Sequence, residues 1–204
     1  MEHGESLPAG AFYVPSFLDA ASQDAAVAAI DSAPWSTELR RRVQHFGYRY
    51  DYRARTVTSD AYLGPLPTWS DAIVQDLIDA AWLSKAPDQL IVNEYMPGQG
   101  IAAHIDCVPC FGDTIVSVSL LSACEMRFRD RKTGGQLAIG LAPRSALVLT
   151  GPARFGWTHQ IPARKSDLIA GQRQKRSRRL SLTFRSTAKH LGLASSRVNQ
   201  PFRA

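Results

Sequence analysis

The chain has 204 residues, of which 45% are hydrophobic and 21% charged, which is typical of one folded domain and excludes a disordered or fibrous protein. No apolar run approaches the ~20 residues of a membrane-spanning helix, and the start Met1-Glu2-His3 lacks the basic and apolar segments of a secretory signal. With an odd number of cysteines, three, we expect a cytoplasmic chain with reduced thiols and no membrane association.

The positive charge is concentrated in the second half of the chain. The net charge is +6, but the first hundred residues carry 7 Lys/Arg against 13 Asp/Glu, whereas residues 101–204 carry 17 against 5. A basic C-terminal half would attract an anionic partner, for which nucleic acid is the commonest candidate. Composition alone leaves this open, because many basic proteins bind no nucleic acid.

The N-terminal part of the chain predicts two helices. Residues 18–31 are rich in alanine and favour a helix, which Pro34 ends. Pro67 opens a second predicted helix that runs to about Leu83, with apolar residues four apart on one side. Between the helices, residues 40–53 alternate aromatic and polar side chains and predict an extended strand.

From residue 89 onward the pattern changes to short strands separated by turns. The predicted strands are residues 89–96, 101–106, 114–121, 125–130, 136–140, 145–150, 155–161 and 179–186. Two helices followed by about eight strands indicate the α+β class, with helices that buttress a β-sandwich or a small barrel. The weakly patterned residues 187–204 predict a mobile tail.

Three residues of the strand region could hold a metal ion. His104 and Asp106 are two apart in a predicted strand, so their side chains project from the same face. His159, on a later predicted strand, is the candidate for a third ligand. Two histidines and one carboxylate on one face form the facial triad of non-haem Fe(II) oxygenases, which leaves coordination positions open. A His-x-Asp tripeptide by itself is common and does not establish such a site.

The last predicted strand alternates two kinds of side chain. Its polar face carries Arg179, Ser181, Thr183 and Arg185, and its apolar face carries Leu180, Leu182 and Phe184. The apolar face would pack on the helices while the polar face points into the barrel. Interior arginines require an anion, because an unpaired buried charge is very costly. Arginine suits bidentate carboxylate binding, so a dicarboxylate could engage both, although a solvated edge strand would show the same alternation.

Two shorter motifs flank the His-x-Asp tripeptide. Asn93 and Tyr95 precede it, and their side chains could donate hydrogen bonds to a carboxylate or keto oxygen of a ligand, or could simply flank a turn. Cys107-x-x-Cys110 follows it. A structural zinc site needs four ligands, and the sequence has no second pair of this kind. We therefore interpret Cys107 and Cys110 as loop thiols.

Taken in order along the chain, these motifs resemble the AlkB family of Fe(II)- and 2-oxoglutarate-dependent dioxygenases. The likeness covers roughly residues 40–186 and rests on Asn93-x-Tyr95, Pro97-Gly98, His104-x-Asp106, residues 115–120, His159 and Arg179-x-Ser181-x-Thr183-x-Arg185. It looks closest to the branch containing the tRNA-modifying animal homologue and its bacterial relatives. The resemblance implies one domain over residues 1–186, with N-terminal helices and a nucleotide-recognition region in about 1–88 and a double-stranded β-helix (jelly-roll, cupin-like) core in about 89–186.

The resemblance also implies the cofactors Fe(II) and 2-oxoglutarate, with O₂ as co-substrate. It implies that iron is bound by His104, Asp106 and His159. Arg179 would pair with the distal carboxylate of 2-oxoglutarate, and Arg185 with the end near the metal. The full set predicted to bind 2-oxoglutarate is Asn93, Tyr95, Arg179, Ser181, Thr183 and Arg185.

Two basic segments predict contact with nucleic acid. Residues 40–53 interleave arginines with aromatic side chains, which suits phosphate contact and base stacking, and they match the position of the family's nucleotide-recognition region. Residues 163–179 form a second basic run, which is either a solvated loop or a clamp on a phosphate backbone. The candidate contacts are Arg41, Arg42, Tyr48, Tyr50, Arg53, Lys175 and Arg176.

We therefore expect a monomeric oxygenase that demethylates or hydroxylates alkylated or modified RNA or DNA. One alternative keeps this chemistry but acts on a protein side chain or a small metabolite. The other is a non-catalytic nucleic-acid-binding module, against which the intact iron and 2-oxoglutarate residues argue. Val108 stands where the DNA-repair members of the family carry an acidic residue that positions the damaged base, so their base preference is not carried over.

Overall fold

The computed structural model describes residues 7–188, in which strands make up most of the regular structure. The strands are β1 (Ala11–Val14), β2 (Val43–Gly47), β3 (Gln89–Tyr95), β4 (Ile101–His104), β5 (Phe111–Leu120), β6 (Cys124–Asp130), β7 (Gln136–Leu141), β8 (Ser145–Leu149), β9 (Trp157–Ile161), β10 (Ser166–Ile169), β11 (Gln172–Lys175) and β12 (Arg179–Thr187). The α-helices are α1 (Ala20–Ser32), α2 (Asp71–Asp79) and α3 (Gly151–Phe155).

Antiparallel pairing arranges these strands into two main sheets. The larger sheet has the order β1-β8-β5-β12-β3-β2, and the smaller sheet has the order β4-β9-β6-β7. β10 and β11 form a separate hairpin. Side chains from both sheets, such as Leu147 and Phe128, pack into one apolar cluster between them. This arrangement confirms the jelly-roll core predicted from the sequence.

The helices cover the outer face of the larger sheet. Ile30 of α1 and Leu77 of α2 are fully buried in the same cluster as Leu182 of β12. Each such side chain stabilises the fold by about 1.5–3 kcal/mol when it leaves water. The apolar face of β12 therefore packs on the helices, as predicted, and strand alternation turns its polar face toward the interior. With only 13 and 9 residues, α1 and α2 are a minor buttress to a mainly β protein.

Three predicted strands differ from the observed ones. The strand predicted over 40–53 is shortened to β2, because Gly47 turns the chain with a φ of 74° where a Cβ would lie 1.9 Å from the carbonyl oxygen of Asp88. β4 ends at His104, so Asp106 lies in the loop before β5. The start of the strand predicted over 155–161 belongs to α3, whose first turn contains a proline.

Some segments lie beyond what the sequence patterns predict. β1, β10 and β11 have only 4 residues each, too few for a clear alternation of apolar and polar side chains. Of the predicted tail over 187–204, residues 189–204 lie outside the described part of the chain. Within residues 7–188, no helix combines the length and the apolar character that crossing a membrane requires.

Candidate metal centre

His104 and His159 face each other across neighbouring strands of the smaller sheet. They are paired in the register of β4 and β9, and their ring centroids are 4.4 Å apart. Asp106 follows in the loop, with its Oδ2 atom 3.5 Å from Nε2 of His159. One potential ligand atom from each of the three residues can be chosen so that all lie within 4.8 Å of one another. The structure thus brings together the residues predicted to bind iron, in an arrangement that fits one metal ion.

The surroundings of the three side chains favour the protonation states that metal ligands need. Nδ1 of His104 donates to the carbonyl oxygen of Ala102 at 2.8 Å, which leaves Nε2 available as a ligand. Burial lowers the pKa of His159 to about 4 against the opposing effect of Asp106, so this imidazole is neutral at pH 7. Burial raises the pKa of Asp106, but Arg185 and the two histidines outweigh it and hold that pKa well below its usual value.

Arg185 of β12 binds the carboxylate of the candidate metal ligand. Its Nη2 donates to Oδ1 of Asp106, and its Nη1 donates to Oε1 of Gln89 at 3.2 Å. The guanidinium lies 4.9 Å from the ring centroid of Phe111, and its Nε has no hydrogen-bond partner in the described part of the chain. Arg185 therefore orients Asp106 and still has a donor that faces no acceptor.

Arg179, at the other end of the polar face of β12, is more deeply buried. It is only 2% exposed, Nη2 donates to Oγ of Ser119 at 2.7 Å, and the guanidinium lies 5.5 Å from the ring centroid of Tyr95. Its Nε and Nη1 have no hydrogen-bond partner among residues 7–188. A buried cation with unsatisfied donors is costly, so the residue fits an anionic ligand. A carboxylate of 2-oxoglutarate has the charge and the acceptors that these donors require.

One cavity of about 300 Å³ brings the triad and Arg185 together with the region predicted to recognise a nucleotide. Its lining also includes one set of residues near the polar face of β12, which are Asn93, Tyr95, Ser181 and Thr183, and a second set, which is Leu39, Arg41, Tyr50, Tyr52 and Arg55. Arg179 is not among the lining residues but contacts the ring of Tyr95, which is. Arg41 connects the two sets, because its Nε donates to Oδ1 of Asn93 at 2.8 Å. The hydroxyl of Tyr52 is buried, and residues 7–188 provide no hydrogen-bond partner for it. The candidate contacts predicted from the sequence did not include Tyr52 or Arg55, although Tyr52 belongs to the segment that alternates aromatic and cationic residues and Arg55 adjoins it.

The other residues predicted to contact nucleic acid fall into two groups. Arg53 and Lys175 are exposed, and Tyr48 is half-buried against Tyr62 with ring centroids 5.1 Å apart. Arg42 instead pairs with Glu94, with 2.6 Å between Nε and Oε2.

Arg176 is committed to the interior of the protein. Its Nη2 donates to Oδ1 of Asp167 at 2.8 Å, and its Nη1 donates to the carbonyl oxygen of Pro162 at 2.8 Å. Arg176 thus uses its donors within the protein, which argues against its predicted contact with nucleic acid. The side chain of Arg42 is 47% exposed, so its contact with nucleic acid stays a prediction.

Cys107 and Cys110 differ from the expectation of free thiols, because their sulfur atoms are bonded in a disulfide. The turn after Asp106 brings the two Cα atoms to 5.2 Å, within the range that a disulfide requires. The carbonyl oxygen of Arg55 lies 3.4 Å from Sγ of Cys107, so the turn that carries Arg55 rests on this loop. The pairing leaves Cys124, which is buried, as the free cysteine.

Comparison with known sequences shows a single family across most of the chain. Residues 10–185 match the family described as the 2OG-Fe(II) oxygenase superfamily. The "Alkylated DNA repair protein ALKBH8 homolog" of Arabidopsis thaliana is 36% identical over 89% of this chain and 59% of that protein. The Mus musculus "tRNA (carboxymethyluridine(34)-5-O)-methyltransferase ALKBH8" is 35% identical over 89% of this chain and 31% of that protein. The chain thus spans less than two thirds of the length of either relative.

A viral relative and two solved structures extend the comparison. Protein L905 of Acanthamoeba polyphaga mimivirus is 32% identical over 78% of this chain and 76% of that protein. The structure of OsALKBH1 superposes with a TM-score of 0.70 at 19% identity, covering 90% of this chain and 99% of that one. A prolyl-4-hydroxylase from Pseudomonas putida gives a TM-score of 0.53 at 16% identity, covering 87% and 92%. At such identities the structural likeness concerns the fold alone, and both neighbours agree with the jelly-roll core.

Proposed function

This chain belongs to the 2OG-Fe(II) oxygenase superfamily and, within it, to the AlkB family, and from that premise we propose that it hydroxylates or oxidatively demethylates a modified nucleic acid. The observation that carries the proposal is the composition of one cavity. The cavity is lined by the His-Asp-His triad and by donors that suit a carboxylate, such as those of Arg185. Aromatic and cationic side chains line it as well. We further propose that the active form is a monomer that does not require a membrane.

In the proposed reaction, bound Fe(II) together with 2-oxoglutarate and O₂ supplies the oxidising power that breaks a C–H bond. His104, Asp106 and His159 would hold the metal, and a site with three protein ligands would leave coordination positions for the co-substrates. Arg185 keeps the carboxylate of Asp106 ionised and oriented. Arg179 would anchor the far carboxylate of 2-oxoglutarate through Nε or Nη1, for which residues 7–188 offer no acceptor.

The aromatic residues that line the cavity support a nucleobase as the substrate. Tyr50 and Tyr52 lie in an edge-to-face arrangement, with ring centroids 5.2 Å apart. Aromatic rings of this kind stack on bases, and nearby guanidinium groups such as that of Arg41 can bind acceptors on a base or phosphate. A polar tyrosine hydroxyl without a partner offers a further hydrogen bond to a base edge.

A groove beside the metal centre supports a polynucleotide rather than a free nucleoside. Arg55 and Arg131 line this groove together with Val108 and Pro109, and it is continuous with the loop that carries Asp106. Both arginines are exposed, so phosphates could reach them. Because the name of the mouse relative refers to tRNA, tRNA is the first nucleic acid to test.

The test is conversion of 2-oxoglutarate to succinate in the presence of Fe(II), O₂ and tRNA, unmodified RNA or methylated DNA. Wild type is compared with Asp106→Asn, and the matched control is Asp76→Asn, which makes the same change at an exposed position of α2. We expect turnover by wild type and Asp76→Asn, stimulated by one nucleic acid, and none by Asp106→Asn. Turnover that no nucleic acid stimulates would indicate that the substrate is a protein or a metabolite instead. No turnover with metal bound would refute the proposed chemistry.

A further inference from the structure

Arg154, at the end of α3, is a buried arginine outside the predicted ligand and substrate sets. It is 2% exposed, and within residues 7–188 its side-chain hydrogen bonds go to backbone carbonyl oxygens in and just after the loop that carries Asp106. Nη1 donates to the carbonyl of Asp106 at 2.9 Å, and Nη2 donates to that of Cys107 at 3.3 Å. Nε donates to the carbonyl of Gly112 at 3.3 Å. One guanidinium therefore ties together both ends of a single loop.

The loop needs such a tie because Asp106 is not held by strand pairing. β4 ends at His104, and the next strand starts at Phe111. The backbone of Asp106 therefore has no ladder hydrogen bonds to fix the direction of its side chain, unlike His104 and His159, which are paired across two strands. Arg185 holds the carboxylate of Asp106 from one side, and Arg154 holds its backbone from the other.

A planar guanidinium is suited to this position. Its donors leave in fixed directions within one plane, so they can engage carbonyls from both ends of the loop at once, which the single ammonium of lysine cannot do as well. The guanidinium also lies 4.9 Å from the ring centroid of Phe155, which restricts its orientation further. The three hydrogen bonds of the Arg154 side chain therefore depend on the planar arrangement of its donors and not only on its positive charge.

We propose that Arg154 is a positioning residue that holds Asp106 in the geometry required for metal binding, and this inference rests on the proposed role of Asp106 as an iron ligand. The direction of the effect separates this role from simple electrostatics. A buried positive charge near a metal site repels the cation, so removing it would strengthen metal binding if charge alone mattered. If Arg154 acts by position, removing it weakens metal binding despite the relieved repulsion.

The experiment measures Mn(II) affinity of the metal-free protein by calorimetric titration, with Mn(II) as a redox-stable probe of the site. The variants are Arg154→Gln, which removes the charge and the fork, and Arg154→Lys, which keeps the charge alone. The matched control is Arg176→Gln, because Arg176 is also a buried arginine bound to backbone carbonyls but lies against Pro162 and Gln99. Amide hydrogen exchange over residues 105–112 and the free energy of unfolding are measured on the same proteins.

We expect Arg154→Gln to weaken Mn(II) binding by about 10- to 100-fold, the usual effect of losing a group that orients a metal ligand. Arg154→Lys should fall between this variant and wild type, and exchange over residues 105–112 should accelerate in both. Arg176→Gln should lose stability while its Mn(II) affinity stays within about twofold of wild type, since it leaves the contacts of Asp106 intact. If Arg154→Gln does not fold, the comparison of Arg154→Lys with wild type decides.

Two results would overturn the inference, and they differ from failure of the proposed function. Mn(II) affinity that is unchanged or higher in Arg154→Gln, or in Arg154→Lys if the glutamine variant does not fold, would show that Arg154 does not position Asp106. Equal losses of affinity in Arg154→Gln and Arg176→Gln would assign both to general destabilisation. A wild-type protein that binds no Mn(II) would instead refute the proposed metal site, and the inference with it.

Discussion

Replacement of Arg179 by methionine is expected to stabilise the protein while it weakens the binding of 2-oxoglutarate. Arg179 is almost fully buried, and two of its donors have no acceptor among the residues that the structure describes. Methionine has a flexible, unbranched apolar side chain, so it can fill much of the same space without any donor. The two effects have opposite signs, which makes the prediction more specific than a simple loss of activity.

The stabilisation follows from the cost of the unsatisfied donors. Each buried donor without a partner costs about 1–3 kcal/mol, whereas losing the hydrogen bond from Arg179 to Ser119 costs about 1 kcal/mol. For Nε and Nη1 together, the net gain is about 1–5 kcal/mol in the free energy of unfolding without ligands. For a chain of this length, each kcal/mol corresponds to a change in Tm of about 2–4 °C.

The loss of 2-oxoglutarate binding follows from the same donors. Nε and Nη1 point to different edges of the planar guanidinium, so one carboxylate accepts from one of them, and a hydrogen bond to a charged group contributes about 1.5–3 kcal/mol. This corresponds to an increase in the Kd of 2-oxoglutarate of roughly 10- to 10²-fold. The Mn(II) affinity should change far less, because Arg179 contacts Ser119 and Tyr95 and none of the three candidate metal ligands.

Thermal unfolding without ligands and calorimetric titration with 2-oxoglutarate in the presence of Mn(II) check both parts. Arg176→Met is the control, because the donors of Arg176 are used by Asp167 and by backbone carbonyls. Its loss breaks a buried ion pair and should destabilise the protein by about 3–5 kcal/mol. If Arg179→Met has a lower Tm than wild type, or binds 2-oxoglutarate equally well, the assignment of its free donors to the co-substrate is wrong.

Three further measurements test other parts of the structure. Burial raises the pKa of Asp167, but Arg176 and Arg164 outweigh it and lower that pKa, so Asp167→Asn should lose about 3–5 kcal/mol of stability at pH 7. Because the pKa of Asp167 is lower in the folded state, the difference in stability between wild type and Asp167→Asn should persist at any pH above the unfolded-state pKa of about 3.9. It should vanish as the pH falls through the folded-state pKa, which chemical unfolding between pH 7 and pH 2 would show. Arg55→Ala and Arg131→Ala should each reduce the salt dependence of tRNA binding by about one unit of slope in log K against log salt, whereas Lys85→Ala should not. The buried guanidinium groups of Arg154 and Arg185 lie beside Asp106 and repel a cation, and the anionic 2-oxoglutarate would offset this repulsion. 2-Oxoglutarate should therefore raise Mn(II) affinity by about 5- to 150-fold, and Mn(II) should raise 2-oxoglutarate affinity by the same factor in the reverse titration.

The metal centre could be found from the sequence because its signals are local. His104 and Asp106 are two residues apart, and Arg179 to Arg185 alternate along a single strand. Such spacings translate directly into a shared face once a strand is assumed. Even so, Asp106 lies just beyond the end of β4, so the spacing predicted the right residue although the assumed strand stops early.

The supporting contacts could not be found in the same way, because they join residues that are distant in the sequence. Arg154 and Asp106 are 48 positions apart, and Arg41 and Asn93 are 52 apart. No periodicity or motif links such pairs, and their partners are often backbone carbonyls, which every residue possesses. The disulfide between Cys107 and Cys110 is a different case, because the spacing was visible but the turn geometry that brings the two Cα atoms together was not.

The charge asymmetry of the chain illustrates what only the fold can decide about arginines. Arg178 of the basic C-terminal half pairs with Asp31 and Glu94 of the acidic half, so part of the asymmetry is complementarity within the protein. Arg179, its neighbour in the sequence, retains unpartnered donors and faces the cavity wall at Tyr95. Composition treats the two residues alike, yet one is satisfied by the fold and the other requires an anion. The unsatisfied donors, rather than the net charge, therefore identify which part of the basic half is built to bind a ligand.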